Sequence, residues 1–509
     1  MGKEKTGLVV LAMALGLLMA SLDNTITSAA INPILKDIGG FDKMTWVFTA
    51  YMLASTSTML IFGKMSDLFG RKLFYMIGIS IFLIGSALCG VAGSMEQLIA
   101  FRVVQGIGSG AIFPISFTII FSLFTDPKMA AKLSGVFAGI FGLSSVAGPQ
   151  LGTWISDHIG WRWCFYVNVP IGLLSFIVLL LALKESRSDR KPVIDYLGTL
   201  LLVVCTVSFM LALEWAGREY AWSSWPIVGL FVTAVVTCFL FLIVERRAVE
   251  PVLPLHLFRN RMVLGTSLAV LCQGAIMFSA ITYLPILSVA VLGRASSNGL
   301  LTPMMFSLMV GAVSFGMLQA KFAFRPLMAV SMGSAIVITF LLSSVGTATS
   351  PWMITLIMVL LGFAAIGPLM SVSQNAIAAS VEKRYIGISS SIVGFWRNID
   401  GVLGASLMAT AVNGNLRHLI EAGADSRHIP ADQIGTLANP ELLVRGSSIL
   451  SPQIRDFLRE SLGTAINHGF WLAIGFAVLG LLAAIYSGPG RYKRPAEATA
   501  AKTAPGAAV

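Results

Sequence analysis

The sequence predicts an all-α integral membrane protein of about fourteen transmembrane helices, and three observations carry that reading. The 509 residues are 56% hydrophobic, with a mean hydropathy of +0.83. Only 12% are charged, against about a quarter in an average soluble chain. Apolar runs of about 20 residues, the length needed to cross a hydrocarbon core of roughly 30 Å, recur from one end to the other.

In order, the predicted spans are 7–30, 44–63, 73–93, 97–121, 131–156, 163–184 and 194–216, then 224–245, 262–291, 297–319, 325–345, 351–378, 386–411 and 468–487. An even number puts both ends on one side of the membrane. The loops choose the side: Lys64, Arg71, Lys72, Lys132, Lys184, Arg246, Arg247, Arg259, Lys321, Lys383 and Arg384 fall on the side of the termini. The opposite short loops offer only Lys36, Lys43, Arg162, Arg218 and Arg294. The positive-inside bias predicts that both termini are cytoplasmic. It also accounts for the formal charge of +11 without nucleic acid, since no aromatic-rich basic patch accompanies it. The first span starts within ten residues and others follow, which argues against a cleaved signal peptide.

Other functional classes find little support. Cys89, Cys164, Cys205, Cys238 and Cys272 lie in or beside spans without a CxxC pair, as small packing residues do. HExxH, GxSxG and Walker patterns are lacking, and "GIGSG" at 106–110 falls within a span, where small residues let helices approach closely. Neither enzyme chemistry, a metal site nor a cofactor is expected. Residues 412–467 are predicted to be a long extracellular loop. Within it Ile454, Phe457, Leu458, Leu462 and Ile466 recur at helical spacing, as in a helix lying on the protein or membrane surface. The tail 489–509, rich in Ala, Pro and Lys, reads as disordered.

Motifs narrow the class. In "GKMSDLFGRK" at 63–72, a glycine-punctuated turn with an acid and adjacent bases can lock helix ends by charge pairing. Its Gly63, Asp67, Gly70, Arg71 and Lys72 resemble the signature loop of the major facilitator superfamily. "GMLQAKFAFR" at 316–325 is a weak echo with Ala320 in place of the acid. "LDNTITSAAINPI" at 22–34, "RVVQGIGSGAIFP" at 102–114, "SVAGPQLG" at 145–152, "WRWCFYVNVPIG" at 161–172, "IDYLGTLLL" at 194–202 and "EPVLPLHLFRNR" at 250–261 are similar to its fourteen-helix drug:proton antiporters, the EmrB/QacA-type multidrug exporters. The antiporter motif departs from the fuller pattern at Ser144 and Thr153.

The resemblance implies two six-helix bundles, 1–193 and 251–488, separated by two inserted helices at 194–250, with a substrate path between the bundles and alternating access by their rocking. It further implies gating by the 63–72 loop, sealing of the outer half by Gly148, Pro149 and Gly152, and proton coupling by Asp23 and Arg102. Rise per residue puts Asp23 roughly 24 Å from the start of its helix and Arg102 about 8 Å below the outer end of its own. The two are therefore level enough to pair.

"WRNIDG" at 396–401 departs from the branch, which carries approximately R-x-x-G-G. The departure adds Asp400 to Arg397 on one helical face, either as an intrahelical ion pair or as a further proton or substrate site. Asp23, Asp400, Trp396 and Arg397 are the expected substrate contacts, and Asp400 joins Asp23 and Arg102 as a proton-coupling residue. The implied activity is proton-driven export of lipophilic, cationic drugs and antiseptics from the cytoplasmic membrane by a monomer among its lipids, with proton and drug competing for the carboxylates. A dedicated exporter of an endogenous metabolite or amino acid shares every motif. A non-transporting sensor or scaffold would not need the gating and antiporter residues.

Overall fold

The computed structural model describes residues 3–124, 127–185, 193–217, 219–292, 298–346, 349–427 and 452–491. Among the described residues, fourteen long helices follow one another. They are α1 (Lys3–Ile38), α2 (Trp46–Phe69), α3 (Arg71–Gly90), α4 (Met95–Leu123) and α5 (Pro127–His158), α6 (Trp163–Ala182), α7 (Tyr196–Trp215) and α8 (Trp225–Arg247). The second part holds α9 (Arg261–Val291), α10 (Asn298–Leu318) and α11 (Phe324–Leu342), α12 (Pro351–Ala378), α13 (Ile386–Arg427) and α14 (Pro452–Tyr486). Twelve are long and apolar enough to span a membrane. The other two, α5 and α13, run along the junction between bundles, where small and polar residues replace lipid-facing ones. Where the connections are described, they are short and make successive helices antiparallel. We call the membrane face near α1's start the terminal side and the opposite face the far side.

Helices α1–α6 form one bundle and α9–α14 the other, each around its own core. The first core joins Met13, Tyr75, Ile79, Phe82 and Ile115 to a far-side cluster around Ile34, Met95 and Phe165. The second gathers Leu284, Leu308, Met358, Met408 and Phe470. The "GIGSG" run packs as expected: a Cβ at Gly106 would come within 2.5 Å of the Tyr51 carbonyl, and one at Gly108 within 2.3 Å of the Phe82 nitrogen. α4 therefore lies directly against α2 and α3.

A proline is accommodated where neighbours satisfy what it frees. Pro368 cannot donate to the carbonyl four residues back, and α12 widens into a π-helical stretch over Leu361–Ile366. There the Ser334 hydroxyl donates to the Ala364 carbonyl (2.7 Å) and the Ser331 hydroxyl to that of Ala365 (2.5 Å), as backbone inside a membrane requires.

The inserted helices α7 and α8 form a hairpin whose first helix packs on α2 and α13. It is fastened at both ends: Lys64 of α2 pairs with Glu250 at 2.9 Å, and the Trp222 indole donates to Thr410 of α13 at 2.9 Å.

α13 continues to Arg427 and α14 begins at Pro452, so both ends of the predicted 412–467 loop are helix; residues 428–451 lie outside the described residues, as do 492–509 of the tail. The apolar stripe persists past the membrane: Leu416, Ile420, Leu458, Leu462 and Ile466 are all buried in the second core. The outer faces turn polar, with Arg417 and Glu421 paired at 2.8 Å. That change of composition ends a hydropathy window but not a helix, and α14's first turns dock against the protein, one of the two surfaces expected for the stripe.

Candidate functional site

A cavity of about 1160 Å³ lies between the bundles, somewhat above the usual range of about 300–1,000 Å³ for ligand sites. It is walled by α1, α2, α4 and α5 on one side and by α9, α10 and α13 on the other. Its mouth is on the far side, where Trp154, Asp157 and His158 of α5 face Leu301 and Thr302 of α10.

The terminal side is closed. Asp67, in the last turn of α2, accepts hydrogen bonds from the Gly387 and Ile388 backbone N–H groups, both at 3.0 Å. These are among the first N–H groups of α13, which have no partner inside their own helix. Arg71 lies 3.8 Å from Asp67 and donates to the Lys383 carbonyl at 3.3 Å. A Cβ at Gly63 would meet Ser391 at 1.9 Å, so α2 and α13 touch directly. Gly70, at φ 119°, makes the whole turn to α3 by itself, a conformation that favours glycine. Gly63, Asp67, Gly70 and Arg71 thus meet at one contact between bundles. Lys72 does not join it, donating instead to the Leu180 carbonyl of α6 at 2.7 Å. The 316–325 echo lacks the acid; nearby, α5 and α12 are joined by a neutral bond, Ser134 to Asn375 at 2.9 Å.

Asp23 and Arg102 pair with each other and are completely buried. Both carboxylate oxygens are used: besides Arg102, Asp23 accepts from Gln105 (2.7 Å) and Asn168 (2.8 Å). Arg102 is held by the Val47 carbonyl (3.0 Å), by Gln105 (2.8 Å) and by Asn24 (3.0 Å), with its guanidinium 4.2 Å above the Tyr51 ring. Such saturation is what lets two charges sit in a low-dielectric interior. Asp23 itself does not line the cavity; Asn24 and Tyr51 do, so the ion pair stands one residue behind the wall.

Gly148 and Gly152 hold α5 against α1: a Cβ would come within 1.9 Å of the Thr25 hydroxyl at the first and 2.6 Å of the Ile26 carbonyl at the second. Pro149 faces the cavity.

"WRNIDG" is distributed differently from expectation. Arg397 lines the cavity, its guanidinium 5.6 Å over the Phe113 ring. Asp400 points away, buried against α9 in a niche that exists because residue 274 is glycine; a Cβ there would lie 1.8 Å from the carboxyl. The intrahelical ion pair is not formed among the described residues, and both Asp400 oxygens and Arg397 Nη2 lack a hydrogen-bond partner. Asp400 and Trp396 are therefore not cavity contacts in this conformation. Trp396 packs on Phe395 (5.6 Å between ring centroids) and beside Met210 and Leu213 of the inserted helix α7. From α13 the cavity receives Gly394, Arg397 and Asn398. The sequence reading passed over Gln105 and Asn168, although amides inside apolar spans within quoted motifs were signal enough. It also passed over Asp157, which reads as an ordinary helix-end acid.

The family model for the Major Facilitator Superfamily matches residues 13–405. The chain belongs to the major facilitator superfamily. It is a multi-pass membrane transporter of small molecules. Among superfamily relatives, it is 38% identical over 505 residues to Multidrug resistance protein 3 of Bacillus subtilis (strain 168), covering 98% of each chain. It is 33% identical over 512 residues to Multidrug transporter protein MdtP of the same organism, covering 96% of this chain and 94% of that one. The superfamily fold is likewise seen against the crystal structure of the human organic anion transporter MFSD10, with a TM-score of 0.59 at 13% identity over 92% of this chain and 99% of that one. A bacterial homologue of the lysosomal transporter Spinster, in an inward-facing conformation, gives 0.55 at 17% identity over 96% and 98%.

Proposed function

We propose that the protein exports lipophilic drugs in exchange for protons, with both termini in the cytoplasm and the described conformation open to the outside. The observation that carries this reading is the buried Asp23–Arg102 pair with its two links to the cavity wall, Asn24 and Tyr51. A proton arriving on Asp23 removes the charge that holds Arg102. The guanidinium then redistributes among Asn24, Gln105 and the Tyr51 face, and the wall that contacts the drug changes shape. Coupling on this account runs through the wall. Direct competition at a shared carboxylate, the sequence expectation, would need Asp23 or Asp400 at the cavity surface, and neither is there.

Inside, loss of the proton restores the pair and the drug-binding wall. One pH unit supplies about 1.4 kcal/mol and 100 mV about 2.3 kcal/mol per charge, enough for uphill export. The clamp of Asp67 on α13 is proposed as the cytoplasmic gate, with Gly63, Gly70 and Arg71 shaping it and Lys72 bracing α6. Gly148, Pro149 and Gly152 serve the external half. Asp400, buried without a partner, suits a proton-carrying role better than a fixed contact for substrate. The names of the two Bacillus relatives support drugs as the cargo. Lipophilic cations are a second reading, favoured by Asp157 and Trp154 at the mouth, where a carboxylate and an aromatic face would meet a departing cation.

The test is flux of a lipophilic dye driven by an imposed pH gradient in proteoliposomes. Asp23→Asn, which like the protonated acid cannot hold Arg102 by charge, is expected to weaken dye binding and to abolish gradient-driven uphill transport. Equal gradient-driven flux in both proteins would remove Asp23 from the mechanism.

A further inference from the structure

Among the described residues that line the cavity, the charged or titratable ones are Tyr51, Arg397, Asp157 and His158. The last two belong to the final turn of α5, at the mouth. Arg397 comes from well inside α13, roughly 16 Å from that helix's terminal-side start. The deep part of the cavity therefore presents a cation and no acid. Three further observations show that this cation is not already satisfied. Asp400, three residues on, is turned into the Gly274 niche on α9. Arg397 Nη2 has no hydrogen-bond partner. Its stack on Phe113 occupies a ring face without a hydrogen bond, and the residue itself lines the cavity.

A guanidinium in a membrane interior is costly unless paired, and its planar fork matches the two oxygens of an acid such as a carboxylate. Around it the wall is apolar and aromatic, with Met59, Phe113, Phe141, Met277 and Phe278.

We propose that Arg397 is the seat for an acidic group of the substrate, so that the transported drugs include amphiphiles carrying a carboxylate. The acid lies on Arg397 and the lipophilic body on Phe113 and the methionines. This makes the substrate an anion, or a zwitterion whose amine reaches toward Asp157. It revises the cation expectation from the carboxylates of the sequence, because those carboxylates stand behind the wall and the arginine stands in it. The proposal rests on the drug-export reading for the direction of transport, while the binding preference itself is independent of proton coupling.

The experiment is equilibrium binding to the purified, detergent-solubilised protein, read by fluorescence polarisation, with rhodamine B and its ethyl ester. The two dyes share the cationic amine and the xanthene body and differ in the free carboxylate. The protein is expected to prefer the acid by roughly tenfold or more, the value of a hydrogen-bonded charge pair. Arg397→Gln is expected to bind both dyes alike, at the ester's affinity. Arg397→Lys, which keeps the charge but not the fork, is expected to keep part of the preference, and it carries the test if Arg397→Gln is not monodisperse. Equal or tighter binding of the ester by the unchanged protein, or a preference that survives in Arg397→Gln, overturns the proposal. Loss of gradient-driven flux with the acid preference intact would refute the export reading alone. Equal binding of the two dyes with gradient-driven flux intact would refute the acid seat alone.

Discussion

At the scale of single residues, the site is built from two unlike charged groups. The Asp23–Arg102 pair is closed off and saturated with hydrogen bonds, so its members are interdependent. Removing one partner of a buried pair costs about 3–5 kcal/mol because the other is stranded, whereas replacing both is far milder. Arg102→Gln alone is therefore expected to lose thermal stability in detergent, and the double variant Arg102→Gln/Asp23→Asn to recover most of it; a double variant as unstable as the sum of its parts would contradict this. Asn168→Ala removes one donor from Asp23 and should cost on the order of 1–3 kcal/mol, seen as a lower melting temperature. Residue chemistry was only partly legible in the sequence. The depth estimate brought Asp23 and Arg102 together because helix rise is fixed. It could not say which way Arg397 and Asp400 would turn, since that depended on a glycine in another helix, Gly274, 126 positions earlier in the chain.

At the scale of elements, the contact of α2 with α13 holds the terminal side shut, and its strength lies in one carboxylate on the N–H groups that open a helix. Asp67→Ala deletes both bonds. Charged hydrogen bonds of about 1.5–3 kcal/mol imply a shift of roughly tenfold or more toward a form open on that side. Cysteine labelling at Ser391→Cys, a position covered by Gly63 in the closed form, would read this as faster modification. Lys72→Ala, whose bond stays within its own bundle, should leave the labelling rate near its starting value. Trp396 belongs to the packing of the inserted hairpin: Trp396→Ala is expected to lower stability with dye affinity unchanged, and a selective loss of dye binding would return it to the substrate site. The turn itself was legible from Gly70 and its neighbours. The extension of α13 and α14 past the membrane was not, because their outer faces look like loop while their inner faces still feed the core.

At the scale of the whole molecule, the fold followed from periodic apolar length and from motifs spread over most of the chain, both insensitive to side-chain orientation. What the chain could not disclose was the state of the machine. The described conformation is shut at Asp67, its cavity reaches Asp157, and in it the paired acid stands behind the wall while Arg397 lines the cavity. The account then reduces to one claim, that drug and proton communicate through the Asp23–Arg102 pair.

The most direct measurement is proton release when dye is added to the solubilised protein in weakly buffered solution, followed with a pH indicator. The account predicts release by the unchanged protein and none by Asp23→Asn. Dye binding without proton release at any pH, or undiminished release by Asp23→Asn, would contradict it.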